Sequence, residues 1–499
     1  MISRLKDLLF TNRSAKQTIA KNVFWLSVGQ IGSRLIRAAI IIYAARILGA
    51  AEYGVFSYVL GLAGFFTIFA DLGVSPLMTR EIAGHPDESE ARQGRPDKRA
   101  AYFANAFWIK NILLAITAAL IIFVAPKFSN IEAAIALLPF VALLVLFDNF
   151  RDFTFSYFRG IEKMELEALL IIIMNTVITV TGFIILNFYQ TAGALLFSYI
   201  FSVAILSIVS LYFVKDFLKG AFKNFDKEIL KQFFHDCWPL AFSGLFGIFM
   251  LNIDIVMLGW WRSAEEIGYY SASQRVVQIF YTLPAILASA AFPTITRFIK
   301  QKEVEKARVL NEKSMTILYF IAIPLAIGGI VLGKPIIKFL FGETYLPAAA
   351  SFQILIAALF INFPGAILSN LLMAYNQQRR LINYVIAGSA SNVILNALLI
   401  PPFGIVGSAI ATIFAQFAYF APIWLKMKKL GNFKTLRYLK KITVAAVIMG
   451  IIGFILNKSG AHIILNIAVS AGIYLLSLYL LKEKILEEVF ELFKKARKP

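Results

Sequence analysis

Charged residues are scarce in this chain of 499 residues, and acidic ones are scarcer than basic ones. Only 16% of the residues are Asp, Glu, Lys or Arg, whereas 59% are hydrophobic. A water-soluble protein could not bury so large an apolar fraction, so the composition indicates a polytopic membrane protein. The single cysteine, Cys237, excludes a disulfide within the chain, and three scattered histidines argue against a histidine metal site.

Other familiar sequence features are also absent. The first residues, MISRLKDLLFTNRSAKQTIAKN, are basic and amphipathic but lack the apolar core and cleavage site of a signal peptide. We therefore expect the first hydrophobic segment to be retained. No GxxxxGK[ST] motif occurs, which predicts that the chain has no ATPase of its own.

Hydropathy predicts an all-α membrane protein with about 14 transmembrane helices. The predicted spans are 22–46, 53–77, 101–125, 131–156, 166–188, 192–214, 237–260, 265–296, 314–332, 347–374, 381–400, 404–425, 441–457 and 461–481. Because the number of spans is even, both termini are expected on the same side of the membrane.

The basic residues indicate which side that is. Of the 49 Lys and Arg residues, 39 fall on the side that carries the termini, six fall in the opposite loops and four lie inside spans. The positive-inside rule therefore places both termini in the cytoplasm. The formal net charge of +20 is accounted for by this topology, and no nucleic-acid partner is needed to explain it.

An internal repeat is visible at an offset of 214 residues. It aligns ARILGAAEYGVFSYV with IVMLGWWRSAEEIGYYSAS through Gly54 and Gly268, and it also aligns Gly193 with Gly407. Each repeat contains six spans, which predicts two parallel bundles related by a pseudo-twofold axis along the membrane normal. The predicted divisions are a basic cytoplasmic N-terminus (1–21), two six-helix lobes (22–220 and 232–428), two additional helices (438–482) and a cytoplasmic amphipathic tail (483–499).

Two arginines, Arg34 and Arg37, lie deep inside the first predicted span. They are roughly 20–24 Å along the helix from Lys21 at 1.5 Å per residue, and they share one helix face. On insertion scales each costs about 2.5–3.5 kcal/mol at mid-membrane. This face must therefore border a polar cavity, where a guanidinium could bind a phosphate bidentately, or an acid on a neighbouring helix.

Two further cations lie inside spans. Arg275 is about nine residues into the eighth span from the outside, and Lys110 is about nine residues into the third span from the cytoplasm. Both are candidate substrate-binding residues, Arg275 in the second repeat and Lys110 at the cytoplasmic mouth.

A second candidate cluster is rich in oxygen. Asp254 lies late in the seventh span, Asn392 and Asn396 form a stripe on the eleventh, and Ser408 and Thr412 form a stripe on the twelfth. A carboxylate with neutral oxygens suits a small hard cation such as Na⁺. Protonation of Asp254 is the other coupling mode, and hydrogen bonding between helices is the alternative role of the neutral residues.

The segments KNVFWLSVGQIGSRLIRAAIIIYAARILGAAEYGVFSYV, ADLGVSPLMTREIAG, NIDIVMLGWW and EEIGYYSASQRV resemble helices 1, 2, 7 and 8 of the polysaccharide flippases. These belong to the multidrug/oligosaccharidyl-lipid/polysaccharide (MOP) exporter superfamily. The resemblance implies alternating-access translocation of a polyprenyl-(pyro)phosphate-linked oligosaccharide from the cytoplasmic to the outer leaflet. It also implies anion-binding arginines on helices 1 and 8, and a Na⁺ site at the positions of Asp254, Asn392, Asn396, Ser408 and Thr412.

The expected location is the cytoplasmic (inner) membrane, and the expected drive is the membrane potential with or without a Na⁺ or H⁺ gradient. No other cofactor is expected. Candidate partners are the lipid-linked oligosaccharide, membrane lipids and polysaccharide-assembly proteins. Two alternatives stay open at this point. One is a cation-coupled multidrug exporter of the same fold, although the mid-depth arginines argue against it. The other is a membrane glycosyltransferase or polymerase, although the short outer loops argue against it.

Overall fold

The computed structural model describes residues 15–85, 98–434 and 439–483, together with Leu486. Within these ranges the regular elements are helices, and no β-strand occurs. The chain divides into two compact units, with the boundary between Gly268 and Tyr269. The predicted amphipathic tail and most of the basic N-terminus lie outside the described residues.

The described residues of the first unit form eight helices and the start of a ninth. They are α1 (Ala15–Phe66), α2 (Val74–Gly84), α3 (Lys98–Ala119), α4 (Glu132–Gly160), α5 (Met164–Phe188), α6 (Ala192–Tyr212), α7 (Lys215–Gly220), α8 (Lys227–Trp261) and α9 (Ala264–Phe280), which crosses the boundary. A π-helical turn (Leu120–Val124) and a 3₁₀ turn (Ala125–Phe128) follow α3.

Helix α1 contains the first predicted span and part of the second, separated by a sharp break at Gly49. Gly49 has φ 70°, a left-handed value that glycine adopts without steric penalty. The prediction of one uninterrupted span over 53–77 is wrong, because the helix ends at Phe66 and α2 begins at Val74. Gly73 has φ 83°, and the Asp71 carboxylate accepts a hydrogen bond from the Ser75 N–H, so a new helix begins here.

The part of the second unit that the structure describes contains the rest of α9 and eight more helices. They are α10 (Thr282–Lys300), α11 (Val304–Val331), α12 (Gly333–Phe341), α13 (Ala348–Ala357), α14 (Leu359–Ala374), α15 (Gln378–Gly431), α16 (Leu439–Lys458) and α17 (Ile463–Leu480), with a 3₁₀ turn at Glu343–Tyr345. The predicted eleventh and twelfth spans both lie in α15, which breaks at Gly404, where φ is 57°. This break follows Pro401 and Pro402, in the PPFG sequence that separates the two predicted spans.

Eleven helical segments of the described chain are long and apolar enough to cross a membrane. Ten of them each overlap one predicted span from the third onward, and Gln378–Gly431 contains two. The first two predicted spans lie on α1 and are not among the eleven. The all-helical membrane architecture is thus confirmed, while the count of fourteen, the repeat arrangement and the side of the termini stay predictions.

Two repeat-related glycines of the first unit allow a close contact between backbones. A Cβ on Gly54 would lie 1.7 Å from the carbonyl oxygen of Ala264, and a Cβ on Gly268 would lie 2.0 Å from the carbonyl oxygen of Ala50. Ala50 and Ala264 are related by the same 214-residue offset as the two glycines. A reciprocal contact of this kind is expected of a twofold relation between repeats.

We predict that Gly54→Ala and Gly268→Ala each lower the melting temperature of the detergent-solubilised protein. The new methyl group would have to push backbone atoms apart, and overpacking of this kind costs about 1–3 kcal/mol. The matched control is Gly472→Ala in α17, where a Cβ meets nothing within 4 Å and alanine favours the helix. Unchanged melting temperatures for both test variants would contradict the close contact.

Candidate functional site

A polar cavity of about 310 Å³ lies in the first unit where α1 packs along α5. Its apolar wall includes Ala168 and Ile171 of α5. Its polar lining consists of Gln30, Ser33, Arg34 and Arg37 of α1, Arg159 at the end of α4, and Glu167 and Asn175 of α5. Three guanidinium groups against one carboxylate leave this lining with a formal charge of +2, so the cavity favours anions.

Glycine permits the close packing of α1 on α5 at this cavity. A Cβ on Gly29 would lie 2.9 Å from the Cα atom of Ala168, and one on Gly182 would lie 2.7 Å from a side-chain carbon of Ile40. Both contacts are too short for a larger residue without a shift of the neighbour. Glycine at these positions therefore lets α5 carry its polar residues next to the arginines.

Arg37 is anchored to the middle of α5. Its Nε donates a hydrogen bond of 2.7 Å to Asn175 Oδ1, and the Asn175 Nδ2 donates to the Ile171 carbonyl at 2.7 Å. Asn175 is about 16 Å along α5 from its first residue at 1.5 Å per residue, close to the midpoint of the helix. The structure thus places Arg37 at mid-depth of the helical bundle, beside Arg34 in the same cavity.

Arg159 and Glu167 line the end of the cavity nearest the turn between α4 and α5. The Arg159 Nε and Nη2 atoms donate to the two carboxylate oxygens of Glu167 at 2.8 and 2.6 Å, a bidentate pair. The Arg159 side chain is 35% exposed, whereas that of Glu167 is only 7% exposed. The Arg159 side chain is therefore partly accessible, whereas the Glu167 side chain is buried. The Arg159 Nη2 atom also lies 3.8 Å from Asp152 Oδ1.

Lys110 does not line this cavity. It is fully buried in α3, where its Nζ lies 2.5 Å from Asp71 Oδ1. Asp71 also accepts a hydrogen bond from the Ser75 hydroxyl. The charge of Lys110 is thus compensated within the fold, and this contact favours a structural role for it.

The remaining charged candidates lie in different units. Asp254 is buried in α8 of the first unit, with 1% of its surface exposed. Arg275 is half-buried in α9, in the second unit. No group of three or more His, Cys, Asp or Glu side chains that could hold a metal ion occurs in the part of the chain that the structure describes.

The neutral oxygen-bearing candidates form two pairs on the two arms of α15. Asn396 Nδ2 donates to Asn392 Oδ1, and the Thr412 hydroxyl donates to the Ser408 carbonyl at 3.0 Å. All four residues are buried. The Ser408 hydroxyl has no hydrogen-bond partner within the described ranges. Hydroxyl and amide oxygens are ligands that suit a small hard cation.

Sequence reasoning missed four residues of these clusters. Asn175 and the Arg159–Glu167 pair belong to the arginine cavity, and the Tyr270 hydroxyl lies 3.2 Å from that of Thr412. Asn175 could have been found from the sequence, because it is a polar residue in the middle of the apolar fifth span. No local pattern distinguishes Arg159, because its partner and its cavity come from other helices.

Comparison with solved structures identifies the fold as that of MOP-superfamily transporters. The structure of the lipid II flippase MurJ in an inward closed conformation matches with a TM-score of 0.76 at 15% identity, over 92% of this chain and 99% of that one. An inward-facing multidrug resistance MATE family transporter of the MOP superfamily matches with a TM-score of 0.60 at 16% identity, over 82% and 99%. The fold is therefore that of a membrane transporter.

The chain belongs to the family described as polysaccharide biosynthesis protein, whose model matches residues 19–299. The MatE family model matches residues 239–398. A relative named "Probable low-salt glycan biosynthesis flippase" from Haloferax volcanii is 23% identical over 80% of each chain. A capsular polysaccharide biosynthesis protein of Staphylococcus aureus is 22% identical over 80% of this chain and 96% of its own. These matches confirm the predicted family of polysaccharide flippases within the MOP superfamily.

We predict that Lys110→Met lowers the melting temperature strongly, because it leaves the Asp71 carboxylate without its cation. Removing one partner of a buried ion pair costs about 3–5 kcal/mol. Adding Asp71→Asn should restore part of the loss. Lys98→Met at the exposed start of the same helix is the matched control. A Lys110→Met protein that melts like the wild type but no longer transports would instead show the substrate-binding role predicted from the sequence.

Proposed function

We propose that this protein is a flippase for a polyprenyl-(pyro)phosphate-linked oligosaccharide. It moves the lipid by alternating access from the cytoplasmic to the outer leaflet of the cell membrane, for the synthesis of a cell-surface polysaccharide. The observation that carries the proposal is the cavity between α1 and α5, where Arg34 and Arg37 lie together at mid-depth. The family membership and the relatives named as flippase and capsular biosynthesis protein support the same substrate class.

Guanidinium groups suit the head group of such a lipid. A phosphate offers paired oxygens that match the fork of an arginine, and arginine keeps its charge in a low-dielectric cavity. Asn175 accepts a hydrogen bond from Arg37 Nε, and this contact orients the guanidinium. An anionic head group would bind to the guanidinium through charge-assisted hydrogen bonds.

The direction of transport follows from the charge of the cargo. An inside-negative potential is worth about 2.3 kcal/mol per elementary charge per 100 mV. A pyrophosphate that leaves the cytoplasmic leaflet with its negative charge is therefore driven outward. We propose that a Na⁺ or H⁺ gradient adds to this drive when the transporter resets.

For the coupling ion, we propose two candidate groups. The buried oxygens of Asn392, Asn396, Ser408 and Thr412 in the second unit would hold Na⁺, and no transition metal is expected there. The carboxylate of Asp254 in the first unit would act in the other coupling mode, by taking up a proton. Arg275 stays a proposed anion-binding residue of the second unit.

An exporter of cationic drugs is the second candidate, and the MatE family match favours it. Such an exporter needs acidic groups where its cationic substrate binds. The cavity in the first unit has three arginines and one glutamate that is already paired with one of them. This charge balance favours the anionic lipid.

We predict that Arg37→Ala abolishes potential-dependent flipping, which we would follow in proteoliposomes that contain a polyprenyl-pyrophosphate-linked oligosaccharide. Exposure of the sugar to an external glycosidase is measured with and without an inside-negative potential. The loss of one charge-assisted hydrogen bond reduces transport by about tenfold or more. The melting temperature verifies that the variant is folded.

Arg46→Ala is the matched control for that experiment. Arg46 lies on α1 as well, near its break at Gly49, and is not part of the cavity lining. Its replacement changes the charge by the same amount and should leave flipping intact. Wild-type protein that exports cationic dyes and exposes no pyrophosphate-linked sugar would overturn the proposed function.

We predict that Thr412→Val weakens the dependence of transport on sodium, because it removes a buried oxygen and keeps the side-chain volume. The half-saturating Na⁺ concentration should rise by about tenfold, as for the loss of one good ligand. Thr316→Val in α11 is the control, because the Thr316 hydroxyl is buried and donates to the Glu312 carbonyl at 2.6 Å in the same way. Transport that responds to a pH gradient and not to Na⁺ would contradict the sodium site and favour protonation of Asp254.

A further inference from the structure

The bidentate pair of Arg159 and Glu167 lies in the wall of the arginine cavity, and the proposed function does not yet use it. Arg159 comes from the end of α4, Glu167 from the first turn of α5, and both line the same cavity as Arg34 and Arg37. The topology prediction places the turn between these helices on the cytoplasmic side. The pair therefore lies at the mouth through which a cytoplasmic ligand would approach Arg37.

We infer that Arg159 is a phosphate-binding residue at the mouth of the cavity, which Glu167 holds in position for the head group. The inference rests on the proposed flippase function, since it names the residue that the phosphate meets before it reaches Arg34 and Arg37. The ligand class is a phosphate or pyrophosphate ester attached to a lipid.

The geometry of the pair supports this division of roles. Glu167 accepts from Nε and Nη2 of Arg159, so the bidentate contact uses one edge of the guanidinium and involves neither proton of Nη1. The Asp152 carboxylate also lies near Nη2, but its Oδ1 is 3.8 Å away and its side chain is 42% exposed, so this contact is a weak ion pair. The second edge of the guanidinium, formed by Nη1 and Nη2, can bind an oxyanion that takes the place of Asp152. The first edge fixes the orientation of the second.

Displacement of Glu167 by the phosphate is the less favourable alternative. The Glu167 side chain is only 7% exposed, and displacement would leave this buried carboxylate without the bidentate pair that Arg159 supplies. Breaking a buried pair in this way costs about 3–5 kcal/mol. Glu167 is accordingly a positioning residue that stays in place, while the exposed part of Arg159 receives the ligand.

Arg159 and Arg37 are held at different levels of the cavity. Glu167 and Asn175 mark the levels of Arg159 and Arg37 on α5, and eight residues of helix separate them by about 12 Å. The head group therefore contacts Arg159 first and Arg37 later. Loss of Arg159 should impair capture of the lipid from the cytoplasmic leaflet more than its passage once bound.

The test is Arg159→Lys, assayed by flipping of a fluorescently labelled polyprenyl-pyrophosphate-linked disaccharide over a range of lipid concentrations. Lysine keeps the charge and the pairing with Glu167 but loses the second edge of the fork. We expect the KM to rise by about tenfold with kcat within about twofold of the wild type, because binding energy is lost and the later step is unchanged.

Two further variants keep the test decisive. Arg151→Lys is the matched control. Arg151 also lies on α4, and its Nη1 is paired with Asp148 Oδ1 at 2.6 Å. It is not part of the cavity lining. If Arg159→Lys melts at a lower temperature than the wild type, the double variant Arg159→Gln/Glu167→Gln replaces it. The double variant keeps a neutral hydrogen-bonded pair and should raise the KM in the same way.

The outcomes separate this inference from the proposed function. A wild-type protein that flips the lipid, with KM unchanged in Arg159→Lys and in the double variant, would overturn the role of Arg159 and leave the flippase function standing. A folded wild-type protein that flips no pyrophosphate-linked lipid would overturn both. An equal rise of KM in Arg151→Lys would show a general effect of α4 and would also refute the inference.

Discussion

Two guanidinium groups at mid-depth on α1 impose a requirement on the first unit. Each costs about 2.5–3.5 kcal/mol in hydrocarbon, so the face that carries them must border polar groups. Helix α5 meets this requirement by supplying Asn175 as a neutral acceptor for Arg37 and a wall for the cavity. The close packing at Gly29 brings the two helices together, and the cavity exists because the polar residues of α5 face the arginines.

The first unit holds two of its cations in different ways. Lys110 is fully buried and directly paired with Asp71, so an anionic ligand there would have to compete with the Asp71 carboxylate. Arg37 is half-buried, and its Nε donates to the amide oxygen of Asn175, which aligns the guanidinium. The carboxylate partner of Lys110 favours a structural role, whereas the place of Arg37 in a cavity lined by two other arginines makes Arg37 the better candidate for binding an anion.

The second unit presents complementary chemistry. Its buried polar residues on α15 are neutral, and the break at Gly404 divides them between two arms, with the asparagines before it and the serine and threonine after it. Tyr270 joins this group through the Thr412 hydroxyl. Cationic side chains in the first unit and neutral oxygens in the second suit an anionic cargo and a cationic coupling ion.

Hydropathy, span length and charge bias are local properties of the chain, so the sequence alone predicts a membrane protein, most of its helices and two arginines within the first span. The resemblance of its first and seventh helices to flippases is equally local. Which groups meet depends on the tertiary structure. Asn175 lies 138 residues from Arg37, and Asp71 belongs to a different helical segment from Lys110, so neither pairing is encoded in a spacing. These pairings depend on packing between segments that are distant in the sequence, where the free energy of a charge is set by its neighbours in space.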